Sequence, residues 1–313
     1  MKVGVVGVGH VGGEAALQMA LRDSCRELIL IDTDHQLAVS QALDIAQTST
    51  LAGGPRVRAG EYQDLAGAGV VILAPGINEK AGGADKPGDK EGRLRLLDTN
   101  APIFCDIVPE TIAAAPDATL LVATNPLDVM TELTRRLAGG MAVLGTGTLL
   151  DTVRFRTALA ERLDVAPECV SAVVVGEHGL SSVLLWSAVT VGGVPLKEYL
   201  ARKGIEEKAL KQAVEEYVRQ GNINIIRGKG ASEFAIGTVI ARVAEIILRD
   251  ERIVIPCSCY SDRYGVTLSL LRRVGRRGVL DEFEPEVSRE EQEGIERSAK
   301  ALKAAMERLD RKP

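Results

Sequence analysis

At 313 residues, with 46% hydrophobic and 26% charged side chains, the chain is long enough for two packed units and its composition excludes disorder as the default state. A net charge of −5 argues against a general nucleic-acid binder, and 3% aromatic residues leave little with which to stack bases. The cysteines, Cys25, Cys105, Cys169, Cys257 and Cys259, are odd in number and form no CxxC, a spacing that suits reduced thiols better than a disulfide framework or a zinc site. No leader pattern precedes the strand-like "MKVGVV", and no run approaches the ~18 apolar residues of a membrane span. A cytoplasmic protein is expected.

In chain order, "KVGVV" reads as a buried strand and "VGGEAALQMALR" as a helix. "ELILID" is a second strand, and residues 36–47 are helical. "VVILA" at 70–74, "TLLVAT" at 119–124 and "AVLGT" continue the strands, with helices over 93–115 and 127–137 between them. Continuous apolar strands separated by helices predict a parallel sheet covered on both faces. The segment 75–92, "PGINEKAGGADKPGDKEG", is the longest irregular piece, and a loop of that length in a compact domain is usually functional or disordered.

The second half has a different character. A helix is expected over 149–163, then strand-like "CVSAVVV" and "LLWSAVTVGGVPL", the latter with a hairpin turn at Gly192 and Gly193. Helices at about 206–227 and 231–250 precede strands near 253–260 and 265–271. Ile295, Ala299, Leu302, Met306 and Leu309 recur at helical spacing and mark an amphipathic terminal helix. No internal repeat is visible.

"GVGHVG" places Gly7, Gly9 and Gly12 between the first strand and the first helix. One glycine permits the tight turn, one lets a pyrophosphate approach the backbone, and one lets helix and strand pack closely. The helix N-terminus adds N–H donors and a positive dipole. Alone, the spacing fits any glycine-rich turn. Here it follows a strand, opens a helix and precedes Asp32, which ends "LILID" and could accept from a ribose while repelling a 2′-phosphate. NAD is therefore favoured over NADP. The plainer reading of Asp32 is a strand-end cap. His10 lies inside the turn and is given no catalytic role.

His178, one of three histidines, sits in "VVVGEHGLSS" after an apolar run. "GTGTLLDTVRFR" carries Asp151 and Arg154 three apart at the start of a helix, near one face. "ATNPLD" puts Asn125 just beyond a strand, at the sheet edge where ligands of such folds bind. "EGRLRLLDTN" puts Arg93 where the long loop meets a helix. Singly, these have bland readings: a structural histidine, a helix ion pair, a turn former and a loop solubiliser.

Together, with the glycine fingerprint and in this order, they resemble the NAD-dependent L-lactate and L-malate dehydrogenases. "GEHG" followed by "WS", and "GTGTLLDTVRFR", resemble the lactate branch and its 2-hydroxyisocaproate relatives. The resemblance implies an α/β fold: an N-terminal Rossmann doubly wound parallel sheet over 1–146 that binds NAD, and a C-terminal α+β substrate domain over 147–313. It implies that His178 is the acid/base, that Asp151 holds its ring, and that Arg154 grips the substrate carboxylate. Arg93 would polarise the reacting carbonyl and Asn125 would bond its oxygen. Ser232, in "KGASEFAIG", matches a pocket position that is commonly threonine, and Asn100 is placed with the cofactor. A homotetramer, or else a dimer, is implied.

The loop at 75–92 departs from the family pattern. Counted from the strand, Glu79 takes the specificity position; counted from "KPG", Asp85 does. A carboxylate at either place would disfavour the second carboxylate of oxaloacetate, although Lys80 and Lys86 are neighbours that could invert this. Leu180 stands where the family commonly has aspartate. Arg156 matches one basic residue of the family's fructose bisphosphate site, but Ser171 stands at its histidine, so weak or absent activation by that sugar is expected. The expected activity is an L-2-hydroxyacid:NAD oxidoreductase acting on lactate and pyruvate. Malate, a bulkier 2-hydroxy acid, or an NAD-binding sensor without turnover are the alternatives.

Overall fold

The first half alternates strand and helix as its apolar runs require. In order come β1 (Lys2–Val6), α1 (His10–Leu21), β2 (Glu27–Ile31), α2 (His35–Ala52), β3 (Arg56–Ala59), β4 (Ala68–Leu73), α3 (Lys90–Ala114), β5 (Thr119–Val122), α4 (Leu127–Leu137) and β6 (Val143–Gly145). The second half runs α5 (Leu149–Leu163), β7 (Val170–Ser171), β8 (Val174–Val175), β9 (Val183–Leu184), β10 (Thr190–Val191), β11 (Val194–Pro195) and α6 (Leu196–Lys203). It ends with α7 (Glu207–Lys229), α8 (Phe234–Arg249), β12 (Ile253–Ser261), β13 (Val266–Gly275), β14 (Gly278–Phe283) and α9 (Arg289–Asp310). This computed structural model describes residues 1–77 and 90–310, and for 90–94 and 310 the backbone alone.

The central sheet has the order β14-β13-β12-β6-β5-β4-β1-β2-β3. From β3 to β6 neighbouring strands are parallel. The chain builds outward from β1 on one side and from β4 on the other. Their shared edge is the topological switch point at which such sheets bind ligands. The last three strands extend the sheet antiparallel, joined to it where Ser258 pairs with Gly145.

Alternation along the strands divides the core between two faces. Leu28, Leu30, Val70 and Ile72 pack on one side with residues of α1, α2 and α8. Ile29, Ile31, Val71 and Leu73 pack on the other with residues of α3, α4 and α9. Both sets are buried, as parallel strands covered on two faces must be. A third cluster, around Phe155, Leu159, Val174 and Val214, binds α5 and α7 to the short strands.

Some elements differ from expectation. "CVSAVVV" is not one strand. Val170–Ser171 joins a small sheet with β10, whereas Val174–Val175 pairs with β9. The hairpin at Gly192 and Gly193 forms as expected, with Val191 opposite Val194 and both glycines at positive φ. β3 and β14 were not anticipated. They are the two edges of the sheet, and their charged residues obscure the apolar signal.

Candidate active site

The turn after β1 is built as its glycines demand. Gly7 has φ +85°, and a Cβ there would lie 2.4 Å from the backbone N of Pro75. A Cβ on Gly12 would lie 1.9 Å from the carbonyl O of Gly7, so α1 can approach β1 only through glycine. Gly9 is different, because a Cβ there would meet nothing within 4 Å. Its open side faces a cleft of about 750 Å³. Asp32 fixes the loop: its Oδ2 accepts from Val8 N at 2.8 Å and its Oδ1 from Asp34 N at 3.0 Å. A negative carboxylate thus stands at the cleft mouth beside the glycine turn, an arrangement that fits a ribose and disfavours a phosphate on it.

The same cleft runs from Gly9 and Asp32 past Asn125 to Arg154, His178 and Ser232. One continuous space therefore holds the glycine turn at one end and the candidate reacting groups at the other. The residues present fit a dinucleotide.

At the reacting end, α5 starts just after Thr148, and its first turn carries Asp151, where the helix dipole favours a carboxylate. Thr148 Oγ1 donates to Val174 O at 2.5 Å, and Thr152 Oγ1 accepts from Val174 N at 2.9 Å. These two bonds stitch β8 to the start of α5. The chain leaving β8 must then carry His178 over Asp151. Gly176, at φ +89°, makes the turn, and a Cβ there would lie 2.7 Å from Ser298 Oγ. The result is a contact of 2.7 Å between His178 Nδ1 and Asp151 Oδ2. The other Asp151 oxygen accepts from Arg154 Nη1 at 3.0 Å.

Asp151 is buried, with 11% of its side chain exposed. Burial alone would push its carboxyl up, but the charges of His178 and Arg154 and their hydrogen bonds prevail and hold it below the ordinary range. Nδ1 is thus turned to Asp151, and His178 lines the cleft.

Asn125 lines the cleft, and its peptide bond to Pro126 is cis. Asn100 is fully buried. Its Oδ1 accepts from Ile77 N at 3.0 Å and its Nδ2 donates to Asn125 O at 2.8 Å. Its amide braces the two strand-end loops that form the cleft wall. Ser232 lines the cleft between α7 and α8. Arg93 lies in the first turn of α3, its side chain outside the described residues, as are Glu79 and Asp85 entirely.

Sequence reasoning missed several residues around this cleft. Asn222 lines it from α7, and Thr146 from the loop after β6. Asp128 and Ser298 hold the His178 loop, and Ser258 holds Asp128. Only Asp128 had a local signal, the end of "NPLD"; the others act through tertiary contacts. Among the described residues no cluster of His, Cys, Asp and Glu could hold a metal ion, and no helix is long and apolar enough to cross a membrane.

Comparison with known proteins places the sequence and fold in a family. Residues 1–142 match the family described as lactate/malate dehydrogenase, NAD binding domain, and residues 148–312 match the lactate/malate dehydrogenase, alpha/beta C-terminal domain. The chain is 42% identical over 310 residues to the L-lactate dehydrogenase of Deinococcus radiodurans, covering 99% of both chains. It is 44% identical over 319 residues to that of Thermus aquaticus, again covering 99% of both. Among solved structures, the minor L-lactate dehydrogenase from Enterococcus mundtii in its ligands-bound form superposes with a TM-score of 0.91 at 34% identity, covering 98% of each chain. The chain belongs to the lactate/malate dehydrogenase family of NAD-dependent oxidoreductases.

Proposed function

We propose that the protein is an L-lactate dehydrogenase, interconverting L-lactate and pyruvate with NAD. One observation carries this reading: the two oxygens of Asp151 are divided between His178 and Arg154, so a single carboxylate sets the spacing between a proton carrier and a carboxylate clamp. A small 2-oxo acid fits between them, with its anionic end on Arg154 and its carbonyl oxygen toward His178.

Gly7, Gly9, Gly12 and Asp32 would hold the dinucleotide, with Asn100 bracing the wall behind it. When bound, the nicotinamide supplies the hydride in reduction and takes it up in oxidation. In reduction, protonated His178 gives the proton on its outer nitrogen to the carbonyl oxygen as C2 becomes tetrahedral. In oxidation, neutral His178 removes the hydroxyl proton at the same atom. Asp151 accepts from Nδ1–H throughout, which fixes the tautomer and favours the protonated ring. Arg154 offers a planar two-toothed fork to the carboxylate. Asn125 bonds the reacting oxygen. Arg93 polarises the carbonyl, an electrostatic role that gains strength where water is excluded. Ser232 borders the substrate, and Glu79 or Asp85 meets its tail and disfavours oxaloacetate.

The C-terminal segment from 147 onward acts as the substrate domain and 1–146 as the cofactor domain. The assembly is a homotetramer or a dimer, which light scattering on the purified protein would establish. A cytoplasmic location accords with five unbridged cysteines.

The test follows NADH absorbance with pyruvate, oxaloacetate and longer 2-oxo acids in parallel. The highest kcat/KM is expected on pyruvate. Preference for oxaloacetate or a longer acid would replace the substrate, and no turnover with intact NADH binding would replace the enzyme by a sensor.

A further inference from the structure

Behind the acid/base lies a second carboxylate. Asp128, in the first turn of α4, is 2% exposed. Its Oδ2 accepts from the backbone N–H of His178 at 2.7 Å, and its Oδ1 accepts from the hydroxyl of Ser258 at 2.6 Å. Ser258 is the β12 residue that pairs with Gly145 of β6, so the carboxylate is tied to the seam where the antiparallel strands join the parallel sheet. The packing there is tight, because a Cβ on Gly145 would lie 3.1 Å from Ser258 Cβ.

Elsewhere in the loop the Glu177 carboxylate accepts from the N–H and hydroxyl of Ser181, Arg219 Nη1 donates to Leu180 O, and the remaining bonds are neutral. Gly176 exchanges backbone bonds with Ser269, and Glu177 N donates to Ser298 Oγ at 2.6 Å. At Asp128 an amide of the same shape would satisfy both contacts, accepting from His178 N–H and donating to the Ser258 hydroxyl. Contact geometry therefore does not demand a charge. Burial makes the charge costly and pushes the carboxyl up to about 6. Such costs are kept where function needs them.

We propose that Asp128 is a positioning residue for the acid/base: it fixes the His178 backbone while Asp151 fixes the ring, and its charge supports the protonated imidazole. This rests on the reading of His178 given above. The charged groups turned toward Asp128 are His178 and Glu177 of the loop, with Asp151 and Arg154 of α5 beyond the ring; β12 presents the Ser258 hydroxyl. Glu177 opposes ionisation of Asp128 and His178 favours it.

The experiment compares wild type, Asp128→Asn, Asp128→Ala and Ser258→Ala. It measures NADH Kd by fluorescence, and kcat and KM for pyruvate from about pH 5.5 to 9, the range in which histidine titrates. Reduction needs the protonated ring, so removing a nearby negative charge should move the pH midpoint downward. Asp128→Asn is expected to keep NADH Kd and KM within about twofold and to lower that midpoint by about half a unit or more. Asp128→Ala also strands the His178 N–H and should lower kcat about tenfold or more at unchanged NADH Kd. Ser258→Ala keeps the bond to His178 but removes a hydroxyl that favours the charged carboxylate, so its midpoint should move in the same direction as that of Asp128→Asn and by less.

An unshifted midpoint in Asp128→Asn would overturn the proposal. So would a parallel loss of kcat and NADH affinity in Asp128→Ala, the signature of a merely structural role. If the alanine variant does not fold, the asparagine and serine variants still decide. Lack of wild-type turnover on every 2-oxo acid would instead remove the acid/base reading itself.

Discussion

His178 Nδ1 lies 2.7 Å from Asp151 Oδ2, although 27 residues separate the two in the chain. The contact exists because Thr148 and Thr152 pin β8 to the first turn of α5 on either side of Asp151. The acid/base geometry is thus a product of two threonine hydroxyls as much as of the pair itself. Asp151→Asn keeps the shape but removes the charge and permits the wrong tautomer. It is expected to lower kcat/KM for pyruvate by about 100-fold or more, with NADH Kd unchanged. Steady-state kinetics beside a fluorescence titration checks both.

Arg154 shares that carboxylate, so its fork is oriented before substrate arrives. Arg154→Lys replaces a planar pair of donors with a point charge. Losing one charge-assisted bond is expected to weaken substrate capture by about 10–100-fold, expressed mainly in KM.

Gly9 and Gly12 should fail in different ways. A Cβ at Gly12 would lie 1.9 Å from Gly7 O, so Gly12→Ala must separate α1 from β1, lowering both the melting temperature and NADH affinity. A Cβ at Gly9 meets nothing within 4 Å, so Gly9→Ala should melt like wild type yet bind NADH about tenfold or more weakly. Wild-type NADH affinity in Gly9→Ala would show that the open side of Gly9 is not the pyrophosphate position.

Asp128 should leave a mark on stability as well as on rate. Its folded pKa, pushed up to about 6, lies above the ordinary carboxylate value. Its ionisation therefore opposes folding. The cost is absent at and below about pH 4, develops as pH rises toward 6, and is full above that. A rise of about two units corresponds to roughly 3 kcal/mol. Asp128→Asn is accordingly expected to melt above wild type at about pH 8 and to lose that advantage near pH 4. Thermal melts at the two pH values test the sign.

Activation by fructose bisphosphate is expected to be weak or absent. Arg156 is half-buried and its Nε donates to Ala172 O at 3.1 Å, while the nearby Ser171 is exposed and uncharged. A pyruvate saturation curve with and without the sugar measures this, and a large drop in apparent KM would contradict it.

Legibility in the sequence followed the range of the forces involved. α4 and α5 form over the expected residues, 127–137 and 149–163, because helical periodicity is local. "CVSAVVV" split between two sheets because strand partners are chosen by tertiary packing. The edge strand Arg56–Ala59 was invisible because alternating arginines hide a single buried valine. At the site, motif order brought His178, Asp151, Arg154 and Asn125 forward through family resemblance. Ser258 and Ser298 carry no local pattern: Ser298 reaches the His178 loop from the distant α9, and Ser258 of β12 acts on it only through Asp128. Asp128 was in plain view in "NPLD", but its partner is a backbone N–H fifty residues away.

The central claim is that His178 passes the proton. The most direct test is pyruvate-dependent NADH oxidation by His178→Ala beside wild type, with NADH Kd measured on the same samples. The expected result is a fall in kcat of about 100- to 10,000-fold at an NADH Kd within about twofold of wild type. Turnover within tenfold of wild type at intact NADH binding would contradict the assignment.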